Sequence, residues 1–203
     1  MPSASILILA VGAAYLLGSI PFSFLVARHQ GVDVRKAGSG NVGATNVMRT
    51  AGRTAGVVAF LLDSGKGVLA VLAARALGQG APLEALAAVA AILGHLYPIW
   101  LHGKGGKGVA TGAGPFLLLA PWPTLLALLA FALTLVTVRY VSVASMTGSA
   151  VMAVLTFGLG SPRPVAWAAA GVASLILWKH GSNVRRILKG TENRLGRRRP
   201  TEG

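Results

Sequence analysis

Seven apolar stretches, separated by short polar segments, dominate this sequence and restrict what it can fold into. They cover residues 6–27, 54–77, 83–101, 109–120, 124–138, 143–159 and 165–178. A helix that crosses the hydrocarbon core of a bilayer needs about 20 apolar residues, and several of these stretches are shorter. The composition, 54% hydrophobic and 12% charged, excludes an ordinary soluble domain. We therefore predict an all-α polytopic membrane protein with about seven short transmembrane helices, some of them kinked or tilted.

The basic residues predict the orientation of these helices. The chain has 19 Lys plus Arg against 5 Asp plus Glu, and basic residues favour the cytoplasmic side of a membrane protein. With seven crossings and the N-terminus outside, only Arg75 and Arg163 lie towards the outside. The break at Pro121-Trp122-Pro123 supplies the turn between two crossings that this pattern requires. We predict a bacterial inner-membrane protein, 1–203, with its C-terminus and a basic tail from about residue 179 in the cytoplasm.

The start of the chain and the absence of cysteine narrow the function further. The first 27 residues carry no charged side chain, so we expect a retained first helix rather than a cleaved signal peptide. Without cysteine, thiolate nucleophiles and cysteine-bound metals are excluded. The bases occur in small groups between apolar runs, which favours anionic headgroups or phosphorylated substrates over nucleic acid. We expect no nucleic-acid partner, cofactor or metal.

The first polar interruption is GSGNVGATNVMR, from Gly38 to Arg49. Its glycines allow the backbone to approach a ligand closely, and Arg49 supplies a forked cation suited to phosphate. The alternative is a flexible loop before an interfacial helix, with Arg49 facing lipid headgroups. The residue pattern by itself leaves both interpretations open.

The second interruption is HGKGGKGVAT, from His102 to Thr111. A glycine-rich turn that opens into a helix favours anion binding, and Lys107 adds a full positive charge. Gly108 follows Lys107 where a nucleotide-binding P-loop would have Ser or Thr, so nucleotide binding gains no support. The competing interpretation is a tight turn between helices with lysines that extend to the interface.

The third group combines Arg139, Ser142 and Ser145 with KHGSNVRR, from Lys179 to Arg186. Serines beside a basic loop can complete a polar pocket, although serine is also common where membrane helices pack. His180 and Asn183 would share a face if they were helical. Spacing alone favours a surface or capping role for His180 over catalysis.

Asp63 and Lys66 form an i, i+3 pair within an apolar stretch. Charges at such a position are costly and are usually paired or face a pocket. We predict a structural ion pair rather than direct catalysis. His95, near Pro98, fits either a hydrogen-bonding residue at a helix end or a pocket wall.

These segments, in this order, resemble the PlsY family of membrane glycerol-3-phosphate acyltransferases. The resemblance covers nearly the whole chain and also includes DSGKG, from Asp63 to Gly67, GHLYP, from Gly94 to Pro98, and Gly190-Thr191-Glu192. It implies transfer of a fatty acyl group from acyl phosphate to the 1-hydroxyl of glycerol 3-phosphate, giving lysophosphatidic acid and phosphate in phospholipid synthesis. The partners implied are these two substrates, membrane lipids and an enzyme that supplies acyl phosphate.

The resemblance also implies site residues. Those expected in catalysis are Ser39, Arg49, Lys107, His180 and Asn183. Those expected to bind substrate are Gly40, Asn41, Gly43, Ala44, Thr45, Asn46, Gly105, Gly106, Gly108, Ser142 and Ser145.

We expect no carboxylate in these loops, because Asp63 is paired with Lys66 and Glu192 belongs to the basic tail. The proton of the attacking hydroxyl would then pass to His180 or to the substrate's own phosphate. His29 and Asp33 match the His-x-x-x-x-Asp spacing of acyltransferases that use acyl-CoA, but their context, HQGVD, makes the match accidental. The alternatives are a transporter of phosphorylated solutes, which should show broken helices and repeats, and a lipid phosphatase, which needs a nucleophile or metal cluster.

Overall fold

The computed structural model describes residues 4–196. The end of the predicted basic tail, 197–203, lies outside the described residues. Within 4–196 the secondary structure is helical throughout, with ten α-helices and one 3-10 turn at Ile99–Leu101. The α-helices are α1 (Ala4–Ser19), α2 (Phe22–His29), α3 (Ala44–Thr50), α4 (Arg53–Ala76), α5 (Ala81–Leu96), α6 (Val109–Leu119), α7 (Pro121–Val138), α8 (Val141–Gly158), α9 (Arg163–Lys179) and α10 (Gly181–Leu188).

Five helical segments in this range are long and apolar enough to cross a membrane. They are Ala4–His29, Arg53–Ala76, Ala81–Leu101, Pro121–Val138 and Val141–Gly158. Helices α6 and α9 have 11 and 17 residues. The chain is thus a multi-pass helical protein, as predicted, although five segments rather than seven meet the length and composition of a full span.

Helix α5 lies at the centre of the bundle, and most of its residues are buried. It packs against α1 and α4 on one side and against α6 and α9 on the other. Gly18 and Gly94 allow the close contact with α1, because a Cβ added to Gly94 would lie 2.2 Å from the carbonyl oxygen of Tyr15. Leucines on α7 are exposed instead, as expected for a surface that faces lipid.

The first apolar stretch is broken into α1 and α2 at Ile20 and Pro21, a break that its hydropathy does not reveal. The second break, between α6 and α7, falls at Ala120, so a break is confirmed here, although the Pro121-Trp122-Pro123 segment lies just after it. Its prolines form the start of α7, where a missing N–H costs no helical hydrogen bond.

Candidate active site

Residues from the polar segments of the sequence line one cavity of about 310 Å³. Its walls come from the segment before and within α3, the start of α6, the start of α8, and the segment from α10 to residue 193. The predicted site residues that line it are Ser39, Asn41, Gly43, Ala44, Thr45, Asn46, Arg49, Lys107, Gly108, Ser142, Ser145, His180 and Asn183.

Several helices begin at this cavity. The first turns of α3, α6 and α8 contribute Ala44, Val109 and Ser142 to its walls, and none of these three helices has a side-chain hydrogen bond at its N-cap. The first N–H groups of a helix lack intrahelical partners and carry a partial positive charge. Together with Arg49, Lys107 and Arg186, the helix starts make the cavity a favourable place for an anion.

Asn46 holds the first glycine segment in shape. Its side-chain oxygen accepts a hydrogen bond from the backbone N–H of Ser39 at 2.9 Å, and its amide nitrogen lies 3.0 Å from the carbonyl oxygens of Val34, Ala37 and Asn41. The side chain is buried. Asn46 therefore organises the loop, and its contact with substrate stays a prediction.

Gly38 is required by the same arrangement. Its φ of 62° lies in the left-handed region, and a Cβ there would stand 2.3 Å from Oδ1 of Asn46. Gly40 also has a positive φ, of 71°, but it does not line the cavity. Gly40 therefore has a conformational role in the loop, and its predicted binding of substrate stays a prediction.

The second glycine segment divides into two parts. Lys107 enters the cavity and donates a hydrogen bond to Oδ1 of Asn183. Gly105 and Gly106 instead pack behind it, where a Cβ would lie 2.0 Å from the carbonyl oxygen of His95 and 2.2 Å from its Nε2, respectively. These two glycines permit close packing and do not line the cavity, and their predicted binding of substrate stays a prediction.

Glu192 also lies in the cavity, which corrects the expectation that these loops hold no carboxylate. Its Oε1 accepts hydrogen bonds from Ser142 at 2.9 Å and Asn183 at 2.6 Å, and its Oε2 accepts one from Arg186 at 2.7 Å. Burial raises the pKa of Glu192, but these hydrogen bonds outweigh it and hold the pKa below its usual value. Glu192 thereby ties the segment after α10 to α8.

The cavity shifts the pKa of two other groups. Burial, aided by the nearby charge of Arg186, lowers the pKa of Lys107 to about 8. Burial also lowers the pKa of His180 to about 4, so its ring is neutral at pH 7. Nδ1 of His180 lies 2.8 Å from the carbonyl oxygen of Ile176 and must therefore donate, which leaves Nε2 as an acceptor.

Asp63 and Lys66 form the predicted ion pair, with Nζ 2.9 Å from Oδ1 and both side chains about 1% exposed. Asp63 also accepts a 2.5 Å hydrogen bond from Ser23, and Nδ1 of His95 lies 3.5 Å from its Oδ1. Both Asp63 and His95 reach the wall of the cavity. Within residues 4–196, no group of His, Asp and Glu side chains is arranged to hold a metal ion.

A second, apolar pocket of about 50 Å³ adjoins the cavity between α6, α7 and α8. Val109, Phe131 and Ser145 line both spaces, so the two lie side by side. Gly148 and Met152 lie further along the apolar pocket. The sequence carried no signal for this pocket, because its residues do not differ in kind from others that face lipid or the core.

Fold and site together define a multi-pass helical membrane protein in which a cationic polar cavity adjoins an apolar pocket. Residues 8–190 match the family model described as "Glycerol-3-phosphate acyltransferase". A glycerol-3-phosphate acyltransferase of Anaeromyxobacter sp. (strain Fw109-5) is 46% identical over 191 residues, which cover 91% of this chain and 94% of that relative. The chain belongs to the glycerol-3-phosphate acyltransferase family.

Two solved structures agree with this assignment. Both are crystal structures of PlsY, an integral membrane glycerol 3-phosphate acyltransferase, and both are 39% identical to this chain. The glycerol 3-phosphate form has a TM-score of 0.89 and covers 94% of this chain and 96% of that one. The lysophosphatidic acid form has a TM-score of 0.85 and covers 94% and 95%.

Proposed function

We propose that this chain transfers a fatty acyl group from acyl phosphate to the 1-hydroxyl of glycerol 3-phosphate, at the cytoplasmic face of a bacterial inner membrane. The products are lysophosphatidic acid and inorganic phosphate. The single observation that carries the proposal is the adjacency of a cationic cavity lined by helix starts and an apolar pocket between α6, α7 and α8. Such a pair of spaces suits a phosphorylated headgroup and an acyl chain.

The phosphate groups belong in the cationic part. Arg49 and Lys107 supply charge-assisted hydrogen bonds, and Ser39 with the backbone of Gly43 to Thr45 supplies neutral ones. His180 and Asn183 line the same cavity, with Asn183 bound to Lys107, and they would orient glycerol 3-phosphate. Ser142, at the start of α8, lines the cationic cavity, and Ser145, one turn later, lines both spaces.

The acyl chain of donor and product belongs in the apolar pocket and, beyond it, in the bilayer. Phe131 and Val109 stand where the two spaces join, so the reacting carbonyl would lie near them. The solved relative with lysophosphatidic acid supports a product with one phosphate and one acyl chain. Burial of each CH₂ group contributes about 0.8 kcal/mol to binding.

The reaction forms one ester bond and breaks one anhydride bond. The 1-hydroxyl oxygen attacks the acyl carbon, the bond between that carbon and the phosphate oxygen breaks, and phosphate leaves with the bond electrons. Acyl phosphate is an activated mixed anhydride, so positioning and charge stabilisation can supply most of the catalysis. Arg49 and Lys107 would stabilise the negative charge that builds on the leaving phosphate.

The proton of the hydroxyl passes to a substrate phosphate, with His180 as the orienting acceptor. Nε2 of His180 is free of a proton at neutral pH and can accept the hydroxyl hydrogen bond. A pKa of about 4 makes this ring a weak base, whereas phosphate oxygens accept a proton near pH 6. The residue therefore aligns the nucleophile more than it deprotonates it.

Seven crossings place all walls of the cavity on one side of the membrane. Added to the five long segments, α6 and α9 provide the two further crossings by packing inside the bundle, where they need not match the full bilayer thickness. With the N-terminus outside, the segments 30–43, 102–108, 139–140 and 180–196 then face the cytoplasm. The basic residues of these segments support this orientation.

The purified protein, supplied with acyl phosphate and glycerol 3-phosphate, should form lysophosphatidic acid. Acyl-CoA should not replace the donor, because His29 lies at the end of α2, outside the cavity. Release of phosphate without lysophosphatidic acid would indicate a phosphatase and overturn the proposal. Comparable turnover with acyl-CoA, lost in His29→Ala, would overturn the choice of donor.

A further inference from the structure

The buried group formed by Ser23, Asp63, Lys66 and His95 adjoins the polar cavity, whose wall Asp63 and His95 reach. It joins α2, α4 and α5, and all four side chains are buried. Ionised side chains inside a membrane bundle are costly and are retained where they serve a function. The ion pair by itself explains neither why His95 belongs to the group nor why it adjoins the second glycine segment.

Lys66 has a structural task. Its Nζ lies 2.7 Å from the carbonyl oxygen of Ile20, at the break between α1 and α2. A broken helix leaves backbone groups without partners, and these need to be satisfied inside a membrane. Lys66 therefore stabilises the break, while Asp63 neutralises Lys66 and still has contacts with Ser23 and His95.

His95 connects this group to the segment that carries Lys107. One edge of its ring faces Asp63, through Nδ1. The other edge lies against Gly106, where even a Cβ would come within 2.2 Å of Nε2. The two residues are also joined through their backbones, because the N–H of Gly106 donates a hydrogen bond to the carbonyl oxygen of His95 at 3.1 Å.

The next residue along the chain is Lys107, which reaches across the cavity to Asn183. The position of its ammonium group thus depends on a segment that rests on His95. Glycine-rich backbone has many accessible conformations, and a rigid support is needed to keep such a segment in one of them.

We propose that Asp63 and His95 are positioning residues for acyl transfer: Asp63 fixes the ring of His95, and His95 fixes the segment 105–108, so that Lys107 meets the phosphate of glycerol 3-phosphate. This inference rests on the proposed function. It gives Asp63 and His95 a role in substrate binding, in addition to the structural role of the Asp63–Lys66 ion pair.

The first test is the variant His95→Phe, which keeps a ring of similar size and removes both nitrogens. We expect the KM for glycerol 3-phosphate to rise by about tenfold while kcat falls by less than about threefold, because the loss is in binding. Asp63→Asn, which keeps the shape and removes the charge, should show a smaller change of the same kind. If His95→Phe does not fold, His95→Gln is measured by the same criteria.

The second test asks whether His95 acts through Lys107. In a Lys107→Ala background, His95→Phe should raise the KM by less than about twofold, because the group that it positions is gone. Thr156→Val is the matched control: Thr156 is buried in α8, away from the cavity, and donates to the carbonyl oxygen of Ala153. This variant should lower the thermal midpoint and leave the KM unchanged.

The inference would be overturned if His95→Phe raised the KM by the same factor in the wild type and in Lys107→Ala. A folded His95→Phe variant with an unchanged KM would overturn it as well. Turnover by the wild type tests the proposed function separately. If the wild type binds glycerol 3-phosphate but does not acylate it, the function fails, and the dissociation constants replace KM in the same comparison. No binding by the wild type would overturn both.

Discussion

Lys107 carries a charge that depends on pH within the range where the protein can be assayed. Its pKa of about 8, lowered chiefly by burial, means that the free protein loses this charge as the pH rises through 8. We expect kcat/KM for glycerol 3-phosphate to fall above about pH 8, because kcat/KM reports the free enzyme. A pH series of initial rates at low substrate measures this.

Two arginine variants give that measurement its controls. Lys107→Arg stays charged above pH 8, so the alkaline fall should disappear in whatever activity remains. Lys104→Arg, at an exposed position three residues earlier, should behave as the wild type. An alkaline fall that persists unchanged in Lys107→Arg would show that another group causes it.

His180 separates the two routes for the proton. His180→Asn keeps a hydrogen-bonding side chain but cannot act as a base near neutral pH. If a substrate phosphate takes the proton, this variant should retain measurable turnover, with a loss on the order of 10 to 100-fold for the lost alignment. Single-turnover assays on a folded, substrate-binding His180→Asn variant distinguish the two proton acceptors. Complete inactivity of this variant at every pH would favour His180 as the general base.

Arg49 and Lys107 should matter more than His180 for binding. Each offers a charge-assisted contact to phosphate, worth about 1.5 to 3 kcal/mol, so Arg49→Ala or Lys107→Ala should lose most of the activity. The loss should appear mainly in the KM for glycerol 3-phosphate or for acyl phosphate. Arg28→Ala, at the end of α2 and outside the cavity, is the control and should change neither constant.

At the scale of helices, the contact between α4 and α6 determines where the second glycine segment lies. A Cβ on Gly67 would stand 2.6 Å from the carbonyl oxygen of Thr111, so Gly67→Ala must push the helices apart. We expect a loss of 1 to 3 kcal/mol, roughly that of an overpacked core, and a lower thermal midpoint. Activity should fall as well, because α6 begins at the cavity.

Gly65→Ala is the matched control on the same helix. No atom outside the local helix backbone lies within 4 Å of a Cβ at Gly65, so this substitution should be neutral or should stabilise by up to about 1 kcal/mol through helix propensity. Thermal unfolding in detergent compares the two variants. Equal midpoints for Gly67→Ala and Gly65→Ala would contradict this view of the α4–α6 contact.

The helices could be predicted because the apolar stretches that mark them are continuous in the sequence. The apolar stretch 54–77 became α4, Arg53–Ala76, and the stretch 109–120 became α6, Val109–Leu119. The break at Pro21 escaped prediction, because the proline lies in an unbroken apolar stretch. Lys66, which donates to the carbonyl oxygen of Ile20 at this break, is 46 residues away from Ile20. Glu192 was missed for the same reason, since only folding brings the segment after α10 back to Ser142.

At the scale of the whole molecule, charge separation links topology to chemistry. Arg49, Lys107 and Arg186 come from three distant parts of the chain and meet in one cavity, together with three helix starts. Asp63 and Glu192 line the same cavity, but their negative charges are already paired, with Lys66 and Arg186 respectively. The basic residues that orient a membrane protein are here also the ones that would bind its phosphorylated substrates.

The orientation itself can be tested by labelling single cysteines in intact cells, since the chain has no cysteine of its own. Ser39→Cys, Lys104→Cys and Gly181→Cys should react only after the membrane is permeabilised, because the proposed topology puts them in the cytoplasm. Lys104 is preferred to Gly105, where a Cβ would lie 2.0 Å from the carbonyl oxygen of His95. Gln79→Cys and Ser161→Cys, between α4 and α5 and between α8 and α9, should react with an impermeant maleimide at once. If α6 and α9 did not cross, Ser161 would lie in the cytoplasm and Ser161→Cys would be protected in intact cells. That result, or outside labelling at Ser39, Lys104 or Gly181, would refute the seven-crossing arrangement.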